Sequence, residues 1–384
     1  MSGSVTHGSA EAQPRTSVVP VVSAAQRRQF VELPYRLYAH DPHFVPQLRR
    51  DERRRIDRAH NPFFEHAVMR MWLAVEDGRV VGRIAGMIDR LHNEKHREAL
   101  AWFGFFEART SFQAALLLRE VEGWAASQGA RAVRGPANPS LNESAGLLID
   151  AFDEDPYILM PYNPPSYPAF VEYAGYSKVK DLWAWDIDLL DPHLERVTRL
   201  ADRVRQRHGI TVRPVNLARF DDELATLQRL FTEAWHDNWG FVPPTDNEIR
   251  QLAVDLKPIL DPELVLIAEM HGRPVGCSVA VPDVNQVLKK MGGRILPFGL
   301  FHFLRRKQIT TRGRMLLMGV VPEVRRIGLY PLLIAECHRR GLARGYTRAE
   351  LSWTLEDNDA INAGIEAAGA RHYKTYRLYE KSIG

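Results

Sequence analysis

The chain has 384 residues, enough for two ordinary domains, and with 45% apolar and 26% charged residues each can bury a core of its own. Its formal net charge of +4 comes from 51 basic and 47 acidic side chains that are interspersed rather than blocked, which argues against a dedicated nucleic-acid binder. Two cysteines, Cys277 and Cys337, argue against a disulfide framework or a zinc site and fit a reducing, cytoplasmic setting.

The polar N-terminus, residues 1–20, reads as a disordered leader without a signal-peptide core. No segment reaches the ~18 apolar residues that a membrane span needs. A helix is predicted over 25–39. The charged run at 49–58 (RRDERRRIDR) has interleaved acids and reads as a solvated helix face rather than a phosphate-binding patch. Strands at 71–76 and 80–89 meet at Asp77-Gly78, a dipeptide that favours a tight hairpin. A strand over 101–108 leads into a helix over 112–128 with Gly129 as C-cap, followed by a strand at 130–135. A short helix at 167–174 and a strand at 182–187 close the first half.

The second half repeats this order. A strand at 210–214 precedes helices at 221–235 and 245–259, and a hairpin of 264–270 and 274–281 turns at His271-Gly272. A strand at 314–321, a helix at 330–344, a strand at 349–354, a helix at 360–368 and a strand at 374–380 follow. The two halves show no evident sequence identity, so the repeat is one of architecture. The expected limits are 21–190, a charged helical connector at 191–209, and 210–384. Each half is an α/β (α+β) unit of mixed sheet flanked by helices.

The most informative stretch is MGVVPEVRRIGLYPLLIAECHRRGLAR, residues 318–344. An apolar strand ends at Val321, and an amphipathic helix begins near Tyr330. The loop between them, Arg325-Arg326-Ile327-Gly328-Leu329, puts a glycine where backbone N–H groups can turn inward around an anion. The helix N-terminus adds its positive end, and two arginines add charge. That combination builds a pyrophosphate site. It resembles the GNAT acetyltransferase signature, Arg/Gln-x-x-Gly-x-Gly/Ala, which cradles the pyrophosphate of coenzyme A. Arg325 and Gly328 match, and Tyr330 stands where a small residue is expected. Asn358, followed eleven residues later by Gly369, fits the asparagine and glycine of the next signature, Asn-x-x-Ala…Gly. Ile365 replaces the tyrosine that often serves there as general acid.

The resemblance implies two tandem GNAT-like domains and acyl-CoA as co-substrate, with no metal. The cofactor-binding residues it implies are Val320, Val321, Arg325, Arg326, Ile327, Gly328, Leu329, Tyr330 and Asn358. A backbone N–H at Val320–Val321 would steady the developing oxyanion. Asp283 and Glu350 are candidate bases or water-positioners, each with a plain strand-end or turn role as the alternative. Glu323, nearer the pyrophosphate, is a weaker choice.

The first half has no such loop. Its polar runs at 135–144 and 160–165 are either plain loops or the lining of a substrate cleft between the halves. Asn138, Asn142, Glu143, Tyr162 and Asn163 would serve there, with Asn285 from the second half. His92 and His96 do not have zinc-motif order, and Trp235, His236 and Trp239 read as core packing.

Longer phrases carry a more specific resemblance. NPFFEHA, WFGFFEA, RGPANPSLNESAGLLIDAFD, MPYNPPSYPAFVEYAGYSKVKDLWAWDID, GVVPEVRRIG and AELSWTLEDN are similar to the bacterial ceramide synthase-like group of GNAT-related proteins, over nearly the whole chain from about residue 20. This implies transfer of a fatty acyl group to the amine of a sphingoid base or its keto precursor. The apolar 295–304 stretch, flanked by basic clusters within 289–307, reads as a peripheral contact with the inner membrane or an acyl tunnel, with a core helix as the alternative. Two rivals remain. Aminoacyl-tRNA-dependent peptidyl transferases pair similar halves but need a basic RNA-binding surface. A non-catalytic CoA- or lipid-binding protein draws support from Tyr330 and Ile365.

Overall fold

In the computed structural model, which describes residues 16–294 and 299–384, thirteen strands join one mixed sheet with helices packed against it. The first half contains β1 (Thr16–Pro20), α1 (Ala24–Leu37), α2 (Arg49–Arg55), β2 (Ala67–Glu76), β3 (Arg79–Asp89), α3 (Arg90–His96), β4 (Leu100–Glu107), α4 (Ser111–Ser127), β5 (Ala132–Gly135), β6 (Leu147–Leu148), α5 (Tyr167–Tyr173) and β7 (Ser177–Asp188). The rest contains α6 (His193–His208), β8 (Ile210–Pro214), α7 (Phe220–Trp235), α8 (Asp246–Leu256), β9 (Val265–Met270), β10 (Arg273–Pro282), α9 (Asn285–Met291), α10 (Gly299–Leu304), α11 (Arg306–Ile309), β11 (Arg312–Val320), α12 (Leu329–Ala343), β12 (Arg348–Leu355), α13 (Asp359–Ala367) and β13 (Arg371–Ser382).

The leader reading fails for residues 16–20, which form β1 and pair antiparallel with β2 from Thr16 opposite Glu76 to Pro20 opposite Trp72. Residues 1–15 lie outside the described ones. The hairpin between β2 and β3 turns at Asp77 and Gly78, whose φ values of 49° and 76° are both left-handed, as the tightest hairpin turn requires. The β9–β10 turn uses His271 and Gly272 in the same way, at 53° and 76°.

The strand order is β1-β2-β3-β4-β5-β13-β7-β12-β11-β10-β9-β8. The last strand of each sequence half has therefore crossed over. β13 pairs with β5 of the first half, and β7 pairs with β12 of the second. The two crossed strands also pair with each other, from Arg371 opposite Asp186 to Glu380 opposite Ser177. A division near residue 190 cuts the sequence but not the sheet. Apolar side chains from α1 and α4 form two separate cores on the first half, and α6 and α12 share one core with β8–β11.

An ion cluster ties the halves at a second place. His66 lies 2.8 Å from Asp89 and 3.1 Å from Glu248 of α8. Burial pulls its pKa down, but hydrogen bonds to these two carboxylates outweigh that and raise it to about 9. A raised folded-state pKa stabilises fully below the unfolded value of 6.5 and loses the contribution as pH climbs through about 9. We expect His66→Gln to cost about 1–3 kcal/mol at pH 7 by urea unfolding, with the gap to wild type closing above pH 9. A gap that stays constant with pH would show that the imidazolium charge contributes nothing.

Candidate active site

β11 and β12 run parallel, but their shared ladder extends only from Arg312 opposite Arg348 to Met315 opposite Leu351. Past that rung the strands part. A one-residue irregularity in the β10–β11 register, where Val279 faces Leu317 and Ala280 faces Met315, leaves Leu316 as the extra residue at the opening of the fork.

At the far end of β11 the chain passes through a short 3-10 turn (Pro322–Ile327) to Gly328, then enters α12. Gly328 has φ 87°, and a Cβ there would lie 2.9 Å from Val204 Cγ2 of α6. Both conformation and space therefore demand glycine. No side chain caps this helix end, so its first N–H groups and positive dipole face outward, as an anion site requires. Arg325 and Arg326 are exposed beside it, although Arg325 also donates to the Ala234 carbonyl at 2.9 Å and ties the loop to α7. These residues fit a pyrophosphate.

Tyr330 explains how the motif tolerates its departure. The phenol packs with the core below β11, where burial raises its pKa and Arg325 and the Val320 amide, bonded to its oxygen, pull it back. The tyrosine thus leaves the loop backbone free. Val321 does not fill the oxyanion role expected of it, because its N–H donates to the Val275 carbonyl at 3.0 Å. Antiparallel ladders alternate bonded and unbonded residues. The Val320 N–H therefore turns away from β10, toward the fork.

At the closed end of the fork sits a buried polar network. Glu350 is 0% exposed. Ser352 Oγ donates to its Oε1 at 2.5 Å, and the Tyr373 hydroxyl donates to its Oε2. Arg314 donates to Ser352 Oγ at 2.8 Å and to the Ile158 carbonyl at 2.6 Å, and lies 3.6 Å from Glu350. Burial pushes the Tyr373 phenol well above its usual range, and the Glu350 carboxylate pushes in the same direction, so the phenol keeps its proton. Tyr373 is partly buried, unlike Glu350, and offers the carboxylate a route outward.

Asp283 proves to be an anchor. It is 0% exposed, accepts from Ile158 N–H at 2.9 Å and pairs with Arg312 at 2.7 Å. Burial raises its carboxyl to about 6 against the pull of Arg312. Asn285 likewise donates to the Pro156 carbonyl at 2.8 Å, and the fully buried Lys374 donates to the Glu154 and Asp155 carbonyls. All three hold a first-half segment, residues 154–158, against the network. No proton-transfer or substrate role is left to Asp283 or Asn285 in this arrangement.

The matching fork in the first half is filled by its own chain. β4 and β5 pair only from Leu100 opposite Ala132 to Trp102 opposite Arg134. Beyond them Ala137 N–H donates to the Phe103 carbonyl at 2.9 Å, and Asn138 Oδ1 accepts from Phe105 N–H at 2.6 Å. A Cβ on Gly104 would meet the Ala137 oxygen at 1.7 Å, so the strand accepts only glycine where the loop lies on it. The N-terminus of α4 is closed too, with Thr110 capping Gln113 N–H and Gln113 accepting from Arg109 N–H. Asn138 is thus the plug of a disused fork rather than a substrate ligand.

The other predicted substrate residues scatter. Asn163 is buried and bonds Leu148 through both ends of its amide. Tyr162 donates to Asp41 at 2.7 Å, and Asn142 donates to the Val242 carbonyl at 2.9 Å. Glu143 keeps 32% exposure, yet desolvation raises it to about 7 despite Arg55. Asn358 lies at the start of α13 with no capping bond from its side chain, which leaves its amide available near the fork. Ile365 packs with the core around Trp185. His92 bonds Glu98, and His96 bonds the Phe241 carbonyl. Trp235 lies against Gly319 of β11. Tyr373, Ser352 and Arg314 were missed because the pairing of β12 and β13 through β7 has no local sequence signal.

No family model matches the chain. It is 36% identical over 380 residues to the bacterial ceramide synthase of Caulobacter vibrioides (strain NA1000 / CB15N), covering 96% of this chain and 97% of the relative. It is also 36% identical over 364 residues to protein YghO of Escherichia coli (strain K12), covering 93% of each. Among solved structures, a tandem GNAT protein from the clavulanic acid biosynthesis pathway superposes with a TM-score of 0.58 at 14% identity, over 96% of this chain and 99% of that one. A GCN5-related N-acetyltransferase from Sphaerobacter thermophilus gives 0.54 at 17% identity, over 96% of both. At such identities these structures establish the fold alone. The identity to the two relatives spans nearly the whole of each chain, and this protein therefore belongs to the family of the bacterial ceramide synthase and YghO, as an N-acyltransferase on a tandem GNAT fold.

Proposed function

We propose that this chain transfers a fatty acyl group from acyl-CoA to the amine of a sphingoid base or its keto precursor. The observation that carries the reading is one strand fork with an uncapped, glycine-led helix end at its open side and a buried Glu350–Tyr373 pair at its closed side. The diphosphate of the donor would lie on the N–H groups after Gly328, with Arg326 beside them. The thioester carbonyl would displace the Tyr330 oxygen from the Val320 amide and accept that N–H as negative charge develops. As the amine nitrogen bonds to the carbonyl carbon, its proton passes to the Tyr373 oxygen while the Tyr373 proton moves to Glu350 Oε2. The carbon–sulfur bond then breaks, the thiolate leaves and takes a proton from water, and Glu350 returns its own proton to solvent through Tyr373.

The choice of acceptor follows the Caulobacter vibrioides relative, a bacterial ceramide synthase. Leu300, Phe301 and Leu304 of α10 are exposed at 44%, 57% and 68%, ahead of Arg305, Arg306 and Lys307. This supports a peripheral membrane contact through 289–307, of which residues 295–298 lie outside the described ones. No helix of the described residues is long and apolar enough to cross a membrane.

The test incubates the protein with palmitoyl-CoA or acetyl-CoA, with and without sphinganine or 3-ketosphinganine, and follows thiol release and amide product by mass spectrometry. Amide formation with the long-chain donor is the expected result. Preference for acetyl-CoA and a small amine would overturn the lipid part of the reading. CoA binding without transfer to any amine would overturn the catalytic part.

A further inference from the structure

A second concave site lies far along the sheet from the fork, at the β1–β2 edge. It is a cavity of about 780 Å³ between the start of α1, the end of α2 and the middle of β2. Five arginines line it, all exposed: Arg27 and Arg28 of α1, Arg53 of α2, Arg58 just beyond it, and Arg70 of β2. Among the described residues, Asp57 is the sole acidic one in the lining. Arg53 has a partial partner in Glu32 at 3.6 Å, and Arg58 donates to the Met69 carbonyl. For Arg27, Arg28 and Arg70 no carboxylate lies within ion-pair distance among the described residues.

Within the charged run around α2 the arginines divide, Arg49, Arg54 and Arg55 being bonded to Glu32, Asp255 and Glu52. Five arginines around one cavity with a single carboxylate set up a local positive potential that attracts an anion. The floor is of a different kind. Val21, Val31, Ile56, Met69 and Met71 line it, and Val22 stands 75% exposed in the adjoining residue. Among the described residues no aromatic side chain lines the cavity on which a base could stack, so nucleic acid is a poor fit. Guanidinium forks over an aliphatic and thioether floor match a phosphate joined to an acyl chain.

We propose that this cavity binds the phosphate head group of an acidic phospholipid, with the first carbons of its acyl chains on the methionine and valine floor. The charged run at 49–58, which from sequence alone reads as a solvated face, then has two functions. Arg49, Arg54 and Arg55 turn inward as structural ties, while Arg53 and Arg58 join Arg27, Arg28 and Arg70 at the lipid. The proposal does not depend on the acyl-transfer reading, since the cavity shares no residue with the fork.

The test uses the full chain and vesicles of phosphatidylcholine, alone or in an equal mixture with phosphatidylglycerol, read by co-sedimentation. Titrations with soluble dihexanoyl phosphatidylglycerol and with inorganic phosphate separate a lipid from a free anion. The triple variant Arg27→Glu/Arg28→Glu/Arg70→Glu should weaken binding to mixed vesicles ~100-fold, at about fivefold per arginine. A charge-matched control, Arg119→Glu/Arg203→Glu/Arg207→Glu, should stay within a few-fold of wild type. Ala24→Trp keeps every charge but places a bulky ring in the cavity beside Arg27 and Arg28, and should lower dihexanoyl phosphatidylglycerol affinity at least ~10-fold with an unchanged melting temperature. Equal losses in the two triples would overturn the proposal, as would normal lipid binding by Ala24→Trp. Inorganic phosphate binding as tightly as the soluble lipid would overturn the lipid assignment. Acyl transfer to a soluble amine, measured in the same variants, should persist, so failure here is distinct from failure at the fork.

Discussion

Gly328→Asp abolishes CoA binding, with affinity falling more than ~100-fold by isothermal titration, because three effects act together there. A side chain at φ 87° is strained by about 1–2 kcal/mol. Its Cβ would press to within 2.9 Å of Val204 on α6, the helix that walls the cradle. The new carboxylate also stands where a diphosphate must lie, and repels it. Gly328→Ala isolates the first two effects and should cost nearer ~10-fold. A folded Gly328→Asp variant that binds CoA as wild type does would refute the cradle.

Glu350→Gln lowers kcat by ~100- to 10,000-fold while CoA affinity stays within a few-fold of wild type, since the amide keeps the shape but cannot take the amine's proton. Removing this charge also leaves Arg314 buried beside a neutral partner, so some loss of stability accompanies it. The pH profile separates the two consequences. As pH rises toward the acceptor amine's own pKa, solvent supplies the neutral nucleophile, and the kcat deficit of Glu350→Gln should shrink. Tyr373→Phe leaves Glu350 with Ser352 and Arg314 but removes its route to the amine, and should give a deficit of similar size with the same pH trend. A deficit that is constant across pH, together with a lower melting temperature, would make Glu350 a structural residue only.

Much of the site was readable because its signals are local. The helix end at Gly328 needs only a strand, a short loop, a glycine and a helix in succession, and the structure forms these from Arg312 to Ala343. Glu350 was legible as a carboxylate on the strand beside the expected cofactor strand. The roles of Asp283, Asn285 and Asn138 were not, since each is decided by a partner distant in sequence. Asp283 meets Ile158, Asn285 meets Pro156, and Asn138 meets Phe105 across a fork that the chain itself has closed. A polar residue at a strand end looks the same in sequence whether it faces substrate or satisfies a buried N–H group.

Periodicity, turn dipeptides and the Gly328 loop by themselves determined the strands and helices that matter, the tandem repeat and the glycine-led helix end at Gly328. These are short-range properties, set by backbone sterics and by the alternation of apolar side chains. Only the tertiary structure decided that β13 and β7 exchange places, that residues 154–158 of the first half close the second half's buried polar network, and that five arginines from three elements share one cavity. The physical reason is common to all three. Each depends on which unpaired strand edge or buried charge finds its partner, and that choice is made across more than a hundred residues of chain for the first two and by the packing of three elements for the third.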